Sequence, residues 1–139
     1  MQKALEIASF SGKDIPVGAV VVKDGVIIAE AHNLKESVND VSAHAEILAL
    51  RDAAQKLGNW RLNGCEMYVT LEPCPMCFWA ILQSRIDNLY FGSYDLVYGG
   101  VSSKANSLLD ISKSKISIKG GILLEECDNL LKSYFESIR

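Results

Sequence analysis

Two short stretches set the tightest constraint on how this chain can fold: His44-Ala45-Glu46, and, well downstream, Pro73-Cys74-Pro75-Met76-Cys77. Between them they hold one imidazole, two thiols and a carboxylate. An imidazole and two thiolates are good zinc ligands, and three protein ligands leave the fourth tetrahedral position to water. A structural zinc site closes that position with a further Cys or His, for which His32 or Cys65 would be available. Either way the fold must bring two distant stretches to one point. Cys-x-x-Cys alone is a generic metal or redox pattern, so the surrounding sequence has to decide.

The chain has 139 residues, 49% of them hydrophobic, enough for a single domain over 1–139 with a core that needs no disulfide support. Two of the four Cys stand at metal spacing, and no signal peptide or long apolar span precedes them. A reducing, cytoplasmic setting with no membrane segment is therefore expected. Cys65 and Cys127 are then spare, and read as small buried hydrophobes. The net charge of −3 excludes a protein coated in basic residues that grips nucleic acid through phosphates alone. A local basic rim is still open to Lys104, Lys113, Lys115, Lys119 and Arg139, which otherwise make an ordinary solvated surface.

No low-complexity run, repeat or composition break divides the sequence. Residues 1–10 have helix formers with Ala4, Leu5 and Ala8 at helical spacing, and Ser11-Gly12-Lys13-Asp14 ends them. Residues 18–22 and 26–31 are β-branched runs joined by Lys23-Asp24-Gly25, a hairpin signal. Ser42 is placed to cap a helix carrying His44 and Glu46, with Ile47, Leu50, Ala54 and Leu57 along its buried face and Gly58 at its end. Residues 66–71 read as a strand, turned by Glu72-Pro73-Cys74 into a helix that runs to about Ser84. Both thiolates then sit at a helix N-terminus, where the macrodipole and unpaired N–H groups favour negative sulfur. A strand over 87–92, a shorter one near 116–118 and a helix from about Leu123 complete the pattern, the helix carrying Cys127, Leu130, Leu131 and Phe135 on one stripe. Alternating strands and helices imply an α/β fold with a mixed or parallel sheet covered by helices.

Around the ligands stand Ile15-Pro16-Val17-Gly18-Ala19-Val20, His32-Asn33-Leu34, Ala43-His44-Ala45-Glu46, Gly58-Asn59-Trp60-Arg61-Leu62 and Tyr68-Val69-Thr70-Leu71-Glu72-Pro73-Cys74. With these, the chain resembles the zinc-dependent nucleobase and nucleoside deaminases, and among them the bacterial tRNA adenosine deaminases. The closing stretch from Gly121 through Cys127 to Tyr134-Phe135 is similar to the C-terminal helix of that branch, so the resemblance covers nearly the whole chain. The first helix is shorter than that family's usual one.

The resemblance implies a cytidine-deaminase-like three-layer α/β/α sandwich with a mixed sheet. It also implies one zinc per chain held by His44, Cys74 and Cys77, and hydrolysis of adenosine to inosine at the wobble position of a tRNA anticodon stem-loop. Zinc-bound hydroxide would attack the amine-bearing ring carbon, and ammonia would leave. Residues two apart on a helix point to different sides, so Glu46 is poorly placed as a ligand; the family gives it the proton shuttle. Asn33 matches a position that hydrogen-bonds the base or ribose, a role suited to an amide, though after a strand it would also serve as a turn former. Asp95 matches one that contacts a flanking nucleotide. A homodimer is expected from the family and from the apolar run Phe78 to Leu82, whose helix must bury two faces.

Phe78-Trp79 stand where the tRNA enzymes commonly have small residues, Tyr94 replaces an Arg or Asp, and the segment over 110–120 is short. These departures touch the substrate more than the chemistry. The rivals are a free guanine or cytosine deaminase of the same chemistry, a non-catalytic zinc or nucleic-acid module, and the riboflavin-pathway deaminase. Retention of Glu46 argues against the second. The third normally has a wider Cys spacing and additional domains.

Overall fold

The structure, a computed structural model, describes residues 1–102 and 106–139, without the side chains of 106 and 107. After a short helix α1 (Gln2–Ala8), the strands β1 (Gly18–Lys23) and β2 (Val26–His32) form the expected hairpin, with Gly18 opposite His32. Asp24 and Gly25 join them at φ 51° and 76°, as a tight two-residue turn between twisted strands requires. Helix α2 (Ala45–Leu57) leads to β3 (Cys65–Leu71), antiparallel to β1. Helix α3 (Pro75–Gln83) returns the chain to β4 (Asn88–Ser93), parallel to β3. After α4 (Asn106–Ser112), the short β5 (Ser117–Lys119) pairs parallel with β4, and α5 (Leu124–Ser137) follows. The sheet is mixed, in the order β2-β1-β3-β4-β5.

Register decides which residues meet which helices. Ala19, Val69 and Phe91 are neighbours across β1, β3 and β4, as are Val21, Met67 and Leu89 two residues along. That face packs on Ala45, Ala49, Leu50 and Ala53 of α2 and on Phe78, Ile81 and Leu82 of α3, which together make the core. The opposite face carries Gly18, Thr70 and Gly92, where backbone comes close. A Cβ at Gly18 would stand 2.0 Å from the Ala4 carbonyl oxygen of α1, and one at Gly92 would stand 2.2 Å from the Cys127 Sγ of α5. Helices on both faces make the three-layer α/β/α sandwich that the resemblance implied.

Several local expectations need correction. Ser42 does not cap α2: His44 itself occupies the N-cap position, and the Ser42 hydroxyl donates to Asp40 Oδ1 at 2.7 Å. The buried row of α2 is Ala45, Glu46, Ala49, Leu50 and Ala53, while Ile47, Ala54 and Leu57 are only partly covered. Small alanines, not the larger residues, face the sheet because they let the helix lie close to it. Helix α3 is apolar all round, but Phe78, Ile81 and Leu82 are spent in the core, leaving Met76, Trp79 and Ala80 toward the outside. Helix α4 falls where no element was expected; its 7 residues are too few to show a helical period, and Leu108 and Leu109 pack against the core.

Cys65 and Cys127 are buried, as anticipated. Lys113, Lys115, Lys119 and Arg139 are exposed, and Lys104 lies outside the described residues. Among the described residues no helix is long and apolar enough to cross a membrane.

Candidate active site

Strand directions gather the start of β1 and the carboxyl ends of β2, β3 and β4 along one edge of the sheet. The segments leaving that edge carry the expected site residues: 33–46 after β2, running into the first turn of α2, 72–77 after β3, and 94–102 after β4. Open α/β sheets bind ligands at such carboxyl ends.

His44 and the two Cys converge there. His44 Nδ1 stands 3.7 Å from Cys74 Sγ and 3.3 Å from Cys77 Sγ, and the three ligand atoms lie within 4.8 Å of one another. Zinc bonds of about 2.3 Å to sulfur and about 2.0 Å to nitrogen, set at a tetrahedral angle, separate N from S by about 3.6 Å, so the donor set fits a zinc ion. Neither candidate for a closing fourth ligand belongs to the cluster: Cys65 begins β3 at its far end, and the His32 ring faces the Asn33 carbonyl oxygen at 3.3 Å.

Local structure explains the convergence. His44 has extended backbone (φ −76°, ψ 151°) just ahead of α2, and Cys74 (φ −70°, ψ 169°) stands in the same relation to α3, with Pro75 in the first turn. Among themselves the three groups share protons around one thiolate. Hydrogen bonding from the Cys77 thiol, aided by His44 and working against burial, draws Cys74 down to about 4. The same pairing, with burial, pushes Cys77 up, and the hydrogen bond to Cys74 raises His44. A divalent cation would take the place of those protons.

Glu46 enters from the first turn of α2 and is only 4% exposed. Burial pushes its carboxyl up to about 7, opposed in part by His44 and by a hydrogen bond with Cys77. A group of that kind beside a ligand triad is suited to exchanging protons near neutrality.

Asn33 and Asp95 both lie at this edge, in loops they help to shape. Asn33 donates through Nδ2 to the Ile15 carbonyl at 3.2 Å and accepts the Lys35 N–H at 3.1 Å. It borders a cleft of about 470 Å³ with Lys13, Asp14, Lys35, Glu36, Tyr134 and Phe135. Asp95 Oδ1 accepts the N–H groups of Val97 and Tyr98 at 3.0 and 2.9 Å.

Two buried carboxylates escaped sequence reasoning. Asp14 accepts the N–H groups of Glu36 and Ser37 and the Ser37 hydroxyl, and so fastens the 33–40 loop to the breaker that follows α1. Glu72 accepts four hydrogen bonds from the 94–102 segment. Both were visible as acidic residues inside quoted motifs, but their partners are remote in sequence.

Residues 1–93 match the model of the cytidine and deoxycytidylate deaminase zinc-binding region. The chain is 43% identical over 128 residues to a tRNA-specific adenosine deaminase of Bacillus subtilis, covering 91% of this chain and 79% of that protein. It superimposes with a TM-score of 0.89, at 39% identity and over 94% and 96% of the two chains, on a structure from studies of A-to-I editing by tRNA:A34 deaminases at the wobble position of transfer RNA. A guanine deaminase from Nitrosomonas europaea is also similar, with a TM-score of 0.84 and 26% identity over 96% of this chain and 81% of that one. The geometry of the triad and these likenesses agree: the chain is a hydrolytic deaminase of the cytidine and deoxycytidylate deaminase family, on the branch that holds the tRNA-specific adenosine deaminases.

Proposed function

We propose that the chain, acting as one domain over residues 1–139, converts adenosine to inosine at the wobble position of a tRNA anticodon stem-loop. The observation that carries this reading is the meeting of His44, Cys74, Cys77 and buried Glu46 at the sheet edge, in a chain 43% identical to a tRNA-specific adenosine deaminase.

His44, Cys74 and Cys77 hold one zinc. Zinc bound by three protein ligands supplies a hydroxide nucleophile near neutral pH. Glu46 is the proton shuttle: its carboxylate takes one proton from the nucleophilic water and passes it to the purine ring nitrogen, then takes the second from the hydroxyl of the tetrahedral centre and passes it to the departing amine, so that ammonia leaves neutral. Asn33 holds the base or ribose, and Asp95 contacts a neighbouring nucleotide. The cleft beside Asn33 supports an RNA ligand chiefly through Tyr134 and Phe135, which offer rings for stacking; its Lys13 and Lys35 are balanced by Asp14 and Glu36, so phosphate contacts there are few. The enzyme works in the cytoplasm as a homodimer.

A polynucleotide supplies remote binding energy that a free base lacks, and that energy can keep the target flipped into the pocket. Purified protein incubated with an anticodon stem-loop should therefore yield inosine at the wobble position far faster than it deaminates free guanine, cytosine or adenosine. Efficient turnover of guanine or cytosine with the stem-loop untouched would replace this reading with the free-base one.

A further inference from the structure

Glu72 is 3% exposed, and among the described residues no cation pairs with it. A carboxylate without a counter-charge can stay in such a place only if N–H and O–H donors replace its water. Among the described residues four donors reach it, and they come from one segment: the N–H groups of Asp95 at 3.2 Å, Val101 at 3.0 Å and Ser102 at 3.0 Å, and the Ser102 hydroxyl at 3.0 Å. These span both ends of the loop that leaves β4, so a single side chain ties its two ends together.

The loop is pressed onto the carboxylate and onto the cysteine turn. A Cβ at Gly99 would stand 2.4 Å from Glu72 Oε2, and one at Gly100 would stand 2.5 Å from the Pro75 nitrogen and 2.8 Å from the Cys74 carbonyl carbon. The Gly100 N–H donates to the Pro73 carbonyl at 2.8 Å, and the Glu72 N–H donates to the Ser93 carbonyl at 2.8 Å. Glycine at 99 and 100 lets this loop lie directly over the peptide that presents Cys74. Between the tied ends, Asp95 Oδ1 organises the first turn and Leu96, Val97 and Tyr98 stand 93%, 64% and 71% exposed.

We propose that Glu72 is a positioning residue for substrate: its buried carboxylate latches the 94–102 loop over the Cys74 turn and so fixes Asp95 as one wall of the substrate mouth. This rests on the RNA reading above as far as the substrate is concerned, while the latch itself does not. The conservative test is Glu72→Gln, which keeps shape and volume but offers one acceptor oxygen and an NH₂ group to four donors.

The variant should fold and keep the zinc content of the wild type, because no ligand changes. Amide hydrogen exchange over 95–102 should quicken by about tenfold or more, and KM for the anticodon stem-loop should rise about tenfold with kcat within about threefold, the scale of the two hydrogen bonds lost at one carboxylate oxygen. A purely structural role would instead lower kcat, metal content and thermal stability together. Unchanged exchange over 95–102 in a folded variant would overturn the latch. Quickened exchange with an unchanged KM would overturn its part in substrate positioning. Should Glu72→Gln not fold, Ser102→Ala removes one donor alone, and it must show the same two effects in smaller measure, about two- to fourfold, for the proposal to stand. A wild type that ignores the stem-loop defeats the RNA reading and leaves the exchange measurement to judge the latch.

Discussion

At the residue scale, the chemistry depends on where each side chain leaves the backbone. His44 precedes α2 in extended conformation, so its imidazole is not bound to the helical spacing that would turn it away from Glu46 two residues later. Glu46 does not join the group of possible ligands formed by His44, Cys74 and Cys77, in keeping with the sequence argument that it makes a poor ligand. Glu46→Gln should keep its zinc and its fold yet lose about 10² to 10⁴ in rate, the range of general acid–base catalysis. Metal analysis beside turnover checks it, and substantial activity in a zinc-replete variant would remove Glu46 from the shuttle role. His44→Ala deletes one of three donors, so elemental analysis should find roughly one zinc per wild-type chain and much less in the variant. Equal metal in both would sink the ligand assignment. The triad was legible because its residue types are scarce in this chain: with 2 His and 4 Cys, few sets can hold a metal.

At the scale of elements, hydrophobic runs and breakers located the strands and four of the five helices, since those signals are local. What escaped depends on partners far along the chain. Ser42 looked like a helix cap, but Asp40 takes its hydroxyl and backbone N–H. Asp14 looked like part of a helix breaker, yet it anchors the loop that leads from β2 to His44. Burial alone would raise the Asp14 carboxyl; the Ser37 hydroxyl and the N–H groups of Glu36 and Ser37 outweigh it and hold it below the usual carboxylate range. A depressed carboxylate contributes stability that is present above its unfolded pKa, about 3.9, and is lost as pH falls through the folded value. Asp14→Asn should therefore cost about 1–3 kcal/mol at pH 7, and the gap from wild type should close as pH drops below about 4. Denaturant melts at pH 7 and at pH 3 decide it: a gap that persists undiminished at the lower pH would mean the charge is irrelevant and only side-chain shape is lost.

At the scale of the whole molecule, one group of exposed apolar residues lies on the loop next to the site. The run Phe78 to Leu82 suggested an interface from sequence, but Phe78, Ile81 and Leu82 are consumed by the core. The outward residues of α3 are Met76, 40% exposed, and partly covered Trp79 and Ala80. Because Gly100 packs on Pro75, the tip of the 94–102 loop lies near the start of α3 and adds Leu96, Val97 and Tyr98 to the same surface. Isolated apolar residues are ordinary on a protein surface, whereas three successive exposed ones, as at Leu96, Val97 and Tyr98, favour an interaction site. A second copy of the chain is the occupant we propose, through a two-fold contact in which the same patch serves on both partners. Each substrate mouth would then be bordered by the dimer seam, and RNA binding would depend on assembly. Sedimentation at micromolar concentration should find a dimer for the wild type and a monomer for Leu96→Asp, since each two-fold contact would face two buried, unpaired carboxylates. The variant should keep its zinc, because no ligand changes and Leu96 is 93% exposed. A wild type that sediments as a monomer removes the dimer altogether, and a Leu96→Asp variant that remains dimeric places the seam on another face.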